Sequence, residues 1–223
     1  MIFFNHRRFS LVHILWIGIL FIAASLTQAQ AGNKPEPLQQ TILIVGDSIS
    51  AGFGIEKSSG WVALLQQRLE PNFKLVNASI SGETTSGGRH RLAKLLKQYQ
   101  PDLVIIELGG NDGLRGTPIK QMQFNLNDMV RKTQTTGADV MLLGMRIPPN
   151  YGARYTEQFV SAFSTIASDH STLFVPFLLE GVAGLPGMMQ ADGIHPTAKA
   201  QPVMMELVWS ELQEWLKNRT NTL

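Results

Sequence analysis

The 223-residue chain contains no cysteine. That absence excludes disulfides, zinc–thiolate sites, a thiol nucleophile and a lipid anchor on an N-terminal cysteine. Charge is also scarce. Only 16% of residues are Asp, Glu, Lys or Arg, against about 25% in ordinary domains. Because 44% are hydrophobic, the chain can build a core and is not disordered. Its 20 glycines and 11 prolines follow no collagen-like period, and neither internal repeats nor low-complexity segments are found.

The charge that is present leaves a formal excess of +2 and a pI near 9.0. Such a balance raises the question of a nucleic-acid or membrane partner. The N-terminus answers it. Arg7 and Arg8 precede an apolar run from Leu11 to Ala24, interrupted by His13 and Gly18, and Ala29-Gln30-Ala31 stands before Gly32. This is the grammar of a secretory signal peptide, with small residues at the −3 and −1 positions of the cleavage site. A retained anchor is the alternative, but the run is 14 residues long and a spanning helix needs about 20. Without residues 1–31 the 19 Lys and Arg become 17, equal to the 17 Asp and Glu. The expected protein is therefore periplasmic or secreted, with no nucleic-acid partner and no stable membrane anchor in its mature form. Residues 32–40 read as a polar linker, 41–217 as one domain and 218–223 as a tail.

Within the domain, short apolar runs alternate with helical spacing. Strands are expected at Thr41–Val45, Phe73–Asn77, Leu103–Leu108, Ala138–Leu143 and Thr172–Val175. Helices are marked by Trp61/Leu65/Leu69, Leu92/Leu96/Tyr99, Met122/Leu126/Val130, Tyr155/Phe159/Ile166 and Met204/Leu207/Val208/Leu212/Trp215. Pro71, Pro101 and Gly137 close the first three. The fold class this implies is α/β, a three-layer α/β/α sandwich around a central five-stranded parallel sheet. Sites in such sheets form at the carboxyl ends of the strands.

Polar clusters stand at those ends. Gly46-Asp47-Ser48 follows the first strand, Ser81-Gly82-Glu83 the second, and Gly110-Asn111-Asp112 the third, while Asp192-Gly193-Ile194-His195-Pro196 precedes the last helix. Ser48 at a strand-to-helix turn can present its hydroxyl above the sheet. A serine needs a base, and the base needs an acid to fix its tautomer; His195 and Asp192, three residues apart, can supply both. Backbone N–H groups of Ser48 and Gly82 and the Asn111 amide are candidate oxyanion donors. Taken singly, each cluster also reads as a helix cap or a turn, with Ser48, Asp47 or Asp192 as the capping residue. Together and in order, they read as a serine hydrolase.

At this point the sequence resembles the SGNH (GDSL) hydrolases. The blocks G-D-S-I-S-A-G-F-G, A-S-I-S-G-E-T-T, E-L-G-G-N-D-G-L-R-G, R-I-P-P-N-Y-G and M-Q-A-D-G-I-H-P look like the periplasmic TesA-like subgroup of thioesterases, lysophospholipases and arylesterases. Ile49 stands where the family name implies Leu. The resemblance implies a flavodoxin-like sheet and catalytic Ser48, Asp192 and His195. It also implies an oxyanion hole of Ser48, Gly82 and Asn111, no cofactor and no metal. His90 and His170 lack ligand-spaced neighbours.

For the acyl group, residues 176–189 are apolar without helical period, and Ile147 to Tyr151 follow the fourth strand. Candidate substrate-binding residues are Pro148, Tyr151, Leu178, Leu185 and Met188. The expected partners are small acyl esters, thioesters and lysophospholipids, handled by a monomer. A carbohydrate O-acetyl esterase is the alternative among hydrolases, and a flavodoxin-like phosphate- or cofactor-binding module the more remote one. N-terminal sequencing of the exported protein should begin at Gly32, or at Gln30 if cleavage follows Ala29; a chain that retains Met1 would contradict the leader.

Overall fold

The computed structural model describes residues 39–69, 71 and 73–220. The expected signal peptide and all but the last two residues of the linker lie outside that range. Five parallel strands form one sheet: β1 (Gln40–Gly46), β2 (Phe73–Asn77), β3 (Leu103–Glu107), β4 (Asp139–Leu143) and β5 (Leu173–Val175). Their order is β2-β1-β3-β4-β5. The helices are α1 (Ser48–Ala51), α2 (Trp61–Leu69), α3 (Thr85–Tyr99), α4 (Gly110–Leu114), α5 (Ile119–Thr135), α6 (Ala153–His170) and α7 (Gln201–Thr220).

The strand order follows from crossover handedness. Right-handed βαβ units put successive helices on one face while the chain steps one way, and on the other when it reverses. From β1 to β2 the chain steps outward on one side, and from β2 it returns past β1 to β3, β4 and β5. Accordingly α2 packs with α7, while α3 packs with α5 and α5 with α6. The reversal falls between β1 and β3. There the two strands diverge to opposite halves of the sheet's connections, leaving a crevice at their carboxyl ends.

Both central strands are dry. Ile42, Leu43, Ile44 and Val45 of β1 and Leu103, Val104, Ile105 and Ile106 of β3 are all completely buried. Their register pairs Ile42 with Leu103 and ends by pairing Gly46 with Glu107. An unbroken apolar run is what a strand covered on both faces requires.

Two boundaries differ from the sequence reading. Helix α3 begins at Thr85, a full two turns before Leu92, because Thr84 caps it by accepting from Gly87 N–H at 3.3 Å. Gly88, inside this helix, is there for packing: a Cβ on it would stand 2.3 Å from Leu108 Cδ1. Helix α7 runs to Thr220, so residues 218–220 of the expected tail are helical. Its last turn is held by Arg219, whose Nη2 reaches Asp139 Oδ2 at 2.7 Å.

Gly144, just after β4, is equally constrained. Its N–H donates to Val175 O at 2.8 Å and its carbonyl accepts from Leu178 N–H at 3.0 Å. A Cβ there would lie 2.3 Å from the backbone carbonyl of Pro176, which cannot swing aside. Gly144→Ala is expected to cost about 2 kcal/mol or more, lowering the unfolding midpoint by roughly 4–8 °C. Calorimetry checks this, and an unchanged midpoint would refute it.

Candidate active site

The site is built where β1 ends. Asp47 caps α1, its Oδ1 accepting from Ile49 N–H at 3.0 Å, and Ser48 is the first residue of the helix. As such, its N–H has no intrahelical acceptor and is free for a ligand. Ser48 is 8% exposed, enough for its hydroxyl to reach the crevice.

His195 arrives from the far end of the chain. Its Nε2 lies 2.9 Å from Ser48 Oγ, and its Nδ1 lies 2.6 Å from Asp192 Oδ2. The other Asp192 oxygen accepts from Ile194 N–H at 2.9 Å and His195 N–H at 3.0 Å. These bonds, the His195 ring first, hold the Asp192 carboxyl down to about 2, so it remains an anion. An anionic acceptor puts the ring hydrogen on Nδ1 and leaves the Nε2 lone pair for the Ser48 hydroxyl. Three elements fasten the His195 loop. Met189 pairs with Pro196 in a β-bridge, Gln190 N–H donates to His195 O at 2.7 Å, and Gln190 Nε2 donates to Phe53 O at 2.8 Å. Phe53 also lies against the imidazole, with ring centroids 4.5 Å apart.

Asn111, in α4 after β3, donates from Nδ2 to Asp47 Oδ2 at 2.9 Å. Its second amide hydrogen is left for a ligand. Gly82 sits on the β2–α3 loop at φ +79°. Arg115 Nη2 donates to its carbonyl at 3.1 Å, and the loop is docked by Ile80 N–H on Gly46 O at 3.0 Å. Ser48, Asn111 and His195 thus line one cavity, which Gly82 does not.

That cavity measures about 680 Å³, large enough for a medium-sized ligand. Pro148 is on its wall, as the sequence suggested. The other four substrate-binding candidates are elsewhere. Leu178 is fully buried in the core, and Met188 packs half-buried against it. Leu185 is 48% exposed, and Tyr151 turns its hydroxyl to Leu114 O at 3.0 Å. The wall is made by their neighbours Ile147, Pro149, Phe177, Leu179, Ala183 and Met189. A segment without period gives no clue to which side chains face inward.

Sequence reasoning missed Glu107. It is the last residue of β3 and completely buried. Its Oε2 accepts from Asp47 N–H at 3.2 Å and from Ser50 Oγ at 2.7 Å, while Oε1 has no hydrogen-bond partner among the described residues. An acid ending the most apolar strand was the available signal. Gln190 and Phe53 carried none. Among the described residues, no group of three or more His, Asp or Glu is arranged to hold a metal ion.

Fold and geometry define the class, a three-layer α/β fold with a serine–histidine–aspartate constellation at the topological switch point of a parallel sheet. The comparisons with known proteins agree. Residues 44–201 match the GDSL-like Lipase/Acylhydrolase family, and the chain belongs to that family. It is 54% identical over 180 residues to Esterase TesA of Pseudomonas aeruginosa, covering 79% of this chain and 90% of that protein. It is 42% identical over 173 residues to Thioesterase 1/protease 1/lysophospholipase L1 of Escherichia coli K12, covering 78% and 83%. The crystal structure of the psychrotrophic esterase EstA from Pseudoalteromonas sp., inhibited by monoethylphosphonate, superposes with a TM-score of 0.76 at 44% identity, covering 80% of this chain and all of that one. No helix among the described residues is long and apolar enough to cross a membrane.

Burial alone pushes the Asp47 carboxyl up to about 6, against the hydrogen bonds that pull it down. A raised carboxyl keeps its proton in the folded state while the unfolded chain has lost it, so folding stability falls as pH rises from about 4 to about 6. Asp47→Asn keeps a capping side chain of equal quality and removes the titration. Its stability relative to the parent should therefore improve across that window and level off above it. Urea unfolding at pH 4, 5, 6 and 7 measures this; a constant difference would contradict a raised Asp47.

Proposed function

We propose that the chain is an exported esterase and thioesterase that cleaves acyl esters through Ser48, His195 and Asp192. One observation carries the reading: the hydroxyl, imidazole and carboxylate stand in line at 2.9 and 2.6 Å, at the edge of an apolar cavity of about 680 Å³. In this mechanism Ser48 Oγ attacks the carbonyl carbon as its proton passes to His195 Nε2. The carbonyl π electrons move onto oxygen, and Ser48 N–H, Gly82 N–H and the free Asn111 Nδ2 hydrogen receive that oxyanion. Asp192 stabilises the imidazolium without taking its proton. Collapse of the intermediate expels the alcohol or thiol, protonated by His195, and leaves an acyl-Ser48 ester. Water, deprotonated by His195, then attacks the same carbon and releases the acid and Ser48.

Acyl chains are the substrate class the cavity favours. Its walls beyond Ser48 include Ile147, Pro148, Phe177, Leu179, Ala183 and Met189, which offer a largely apolar surface, with Arg146 and Glu180, paired to each other, as the charged exceptions. The relatives' names, esterase and thioesterase 1/lysophospholipase L1, support small esters, thioesters and lysophospholipids for this chain too. The leader grammar of residues 1–31 supports a periplasmic or secreted location, with 41–217 acting as one domain. We take the mature enzyme to be a monomer.

Two measurements test this. Ser48→Ala should lower turnover of p-nitrophenyl esters by at least about 10⁴-fold, with the fold retained; full activity in that variant would end the proposal. Across acetate to palmitate, kcat/KM should rise with chain length beyond acetate. An optimum at acetate, together with release of acetate from an acetylated polysaccharide, would favour a carbohydrate esterase instead.

A further inference from the structure

Asp47 has no part in the proton relay, yet its side chain bonds one proposed oxyanion donor, Asn111, and caps the turn that carries another, Ser48. It is 2% exposed. Through Oδ1 it holds Ile49 N–H, and so the turn that presents Ser48. Through Oδ2 it holds Asn111 Nδ2. We propose that Asp47 is a positioning residue: through the bond that its Oδ2 accepts from Asn111 Nδ2, it aims the second hydrogen of that amide at the oxyanion. The inference rests on the proposed role of Ser48.

The groups facing the buried Asp47–Glu107 pair are few. β3 contributes Glu107, α1 contributes the Ser50 hydroxyl, α4 contributes Asn111, and the 189–196 loop contributes His195, whose charge favours an Asp47 anion. Among the described residues, no Lys or Arg makes an ion pair with either carboxyl. Two neighbouring carboxylates without a cation cannot both ionise in a dry interior. Glu107 keeps the proton, because it is completely buried and faces the Asp47 charge. Asp47, which receives two N–H donors and the field of His195, ionises at about 6.

The consequence is directional. An Asn amide with one hydrogen committed to a carboxylate has a fixed second hydrogen, and a charge-assisted bond holds it firmly. If the anion is lost, the amide can turn about χ2, and the hole must be organised during the reaction. A cap alone would behave differently, because Asn caps a helix as well as Asp does.

The experiment is a double-mutant cycle in kcat on p-nitrophenyl butyrate at pH 8, using the mature chain. Asp47→Asn should lower kcat by about 10- to 100-fold with KM within about twofold and the unfolding midpoint retained. On an Asn111→Ala background the same change should cost less than about twofold, because the donor it aims is already gone. An unchanged kcat in Asp47→Asn, or its full loss on top of Asn111→Ala, overturns the proposal. If Asp47→Asn does not fold, NMR of the unmodified enzyme decides. The Asn111 side-chain amide signals should move with the midpoint of the Asp47 carboxyl carbon, and independent midpoints overturn the proposal. Failure of the functional reading looks different: the parent enzyme does not turn over, or Ser48→Ala does.

Discussion

The pairing of Gly46 with Glu107 at the ends of β1 and β3 is the contact on which the site depends. From Ile42 and from Leu103 onward both strands are buried, so their register cannot slip without moving apolar side chains to the wrong place. That register delivers Asp47 and Ser48 beside Gly109 to Asn111. Nothing larger than glycine fits at Gly46, where a Cβ would lie 2.8 Å from Glu107 Oε2 and from Ser79 Oγ and 2.9 Å from Ser50 Cβ. The absence of a side chain lets the acid of one strand sit against the backbone of the other. Sheet geometry therefore fixes the Ser48 turn and the Asn111 turn as one unit.

His195 reaches that unit by a different route. It comes from a long connection between β5 and α7 that has little regular structure, and its position is set by hydrogen bonds. Gln190 joins three backbone segments: its N–H holds His195 O, and its amide holds Phe53 O and Pro196 O. Thr197 closes the other end, donating from N–H to Met188 O at 2.8 Å. The Asx-type turn of Asp192 then aims its free oxygen at Nδ1. A rigid half and a laced half meet across Ser48 Oγ and His195 Nε2.

The acids around this junction have opposite fates because two are buried and the third is not. Asp192 is partly exposed and receives three N–H groups, so its carboxyl lies far below the usual range. Asp47 and Glu107 are buried, and no cation bonds to either carboxyl among the described residues, so both are pushed up. The first arrangement suits a group that must stay charged beside an imidazolium. The second suits a group whose charge is confined to one carboxyl and therefore to one direction. In the proposed mechanism Asp192 serves the proton relay and Asp47 the oxyanion.

This division also explains what could be read from the sequence. Strands β1 to β5 and the helices that follow them announce themselves by period, because burial on two faces or one stripe dictates residue type along the whole element. Ser48, Asn111 and the Asp192/His195 pair were legible because chemistry needs rare residues at strand ends, where topology says to look. Glu107 was not, since its role depends on lying across from Gly46, and cross-strand register does not appear in the order of residues along one strand. The cavity wall was legible only as a segment. Leu178 and Leu179 are adjacent and equally apolar, yet one is sealed in the core and the other lines the cavity. In a loop without period, the hydrogen bond of Leu178 N–H to Gly144 O helps set which of them faces the cavity. Side-chain direction there is a tertiary property, set by the strand-end glycine that lets β4 and the loop after β5 approach so closely.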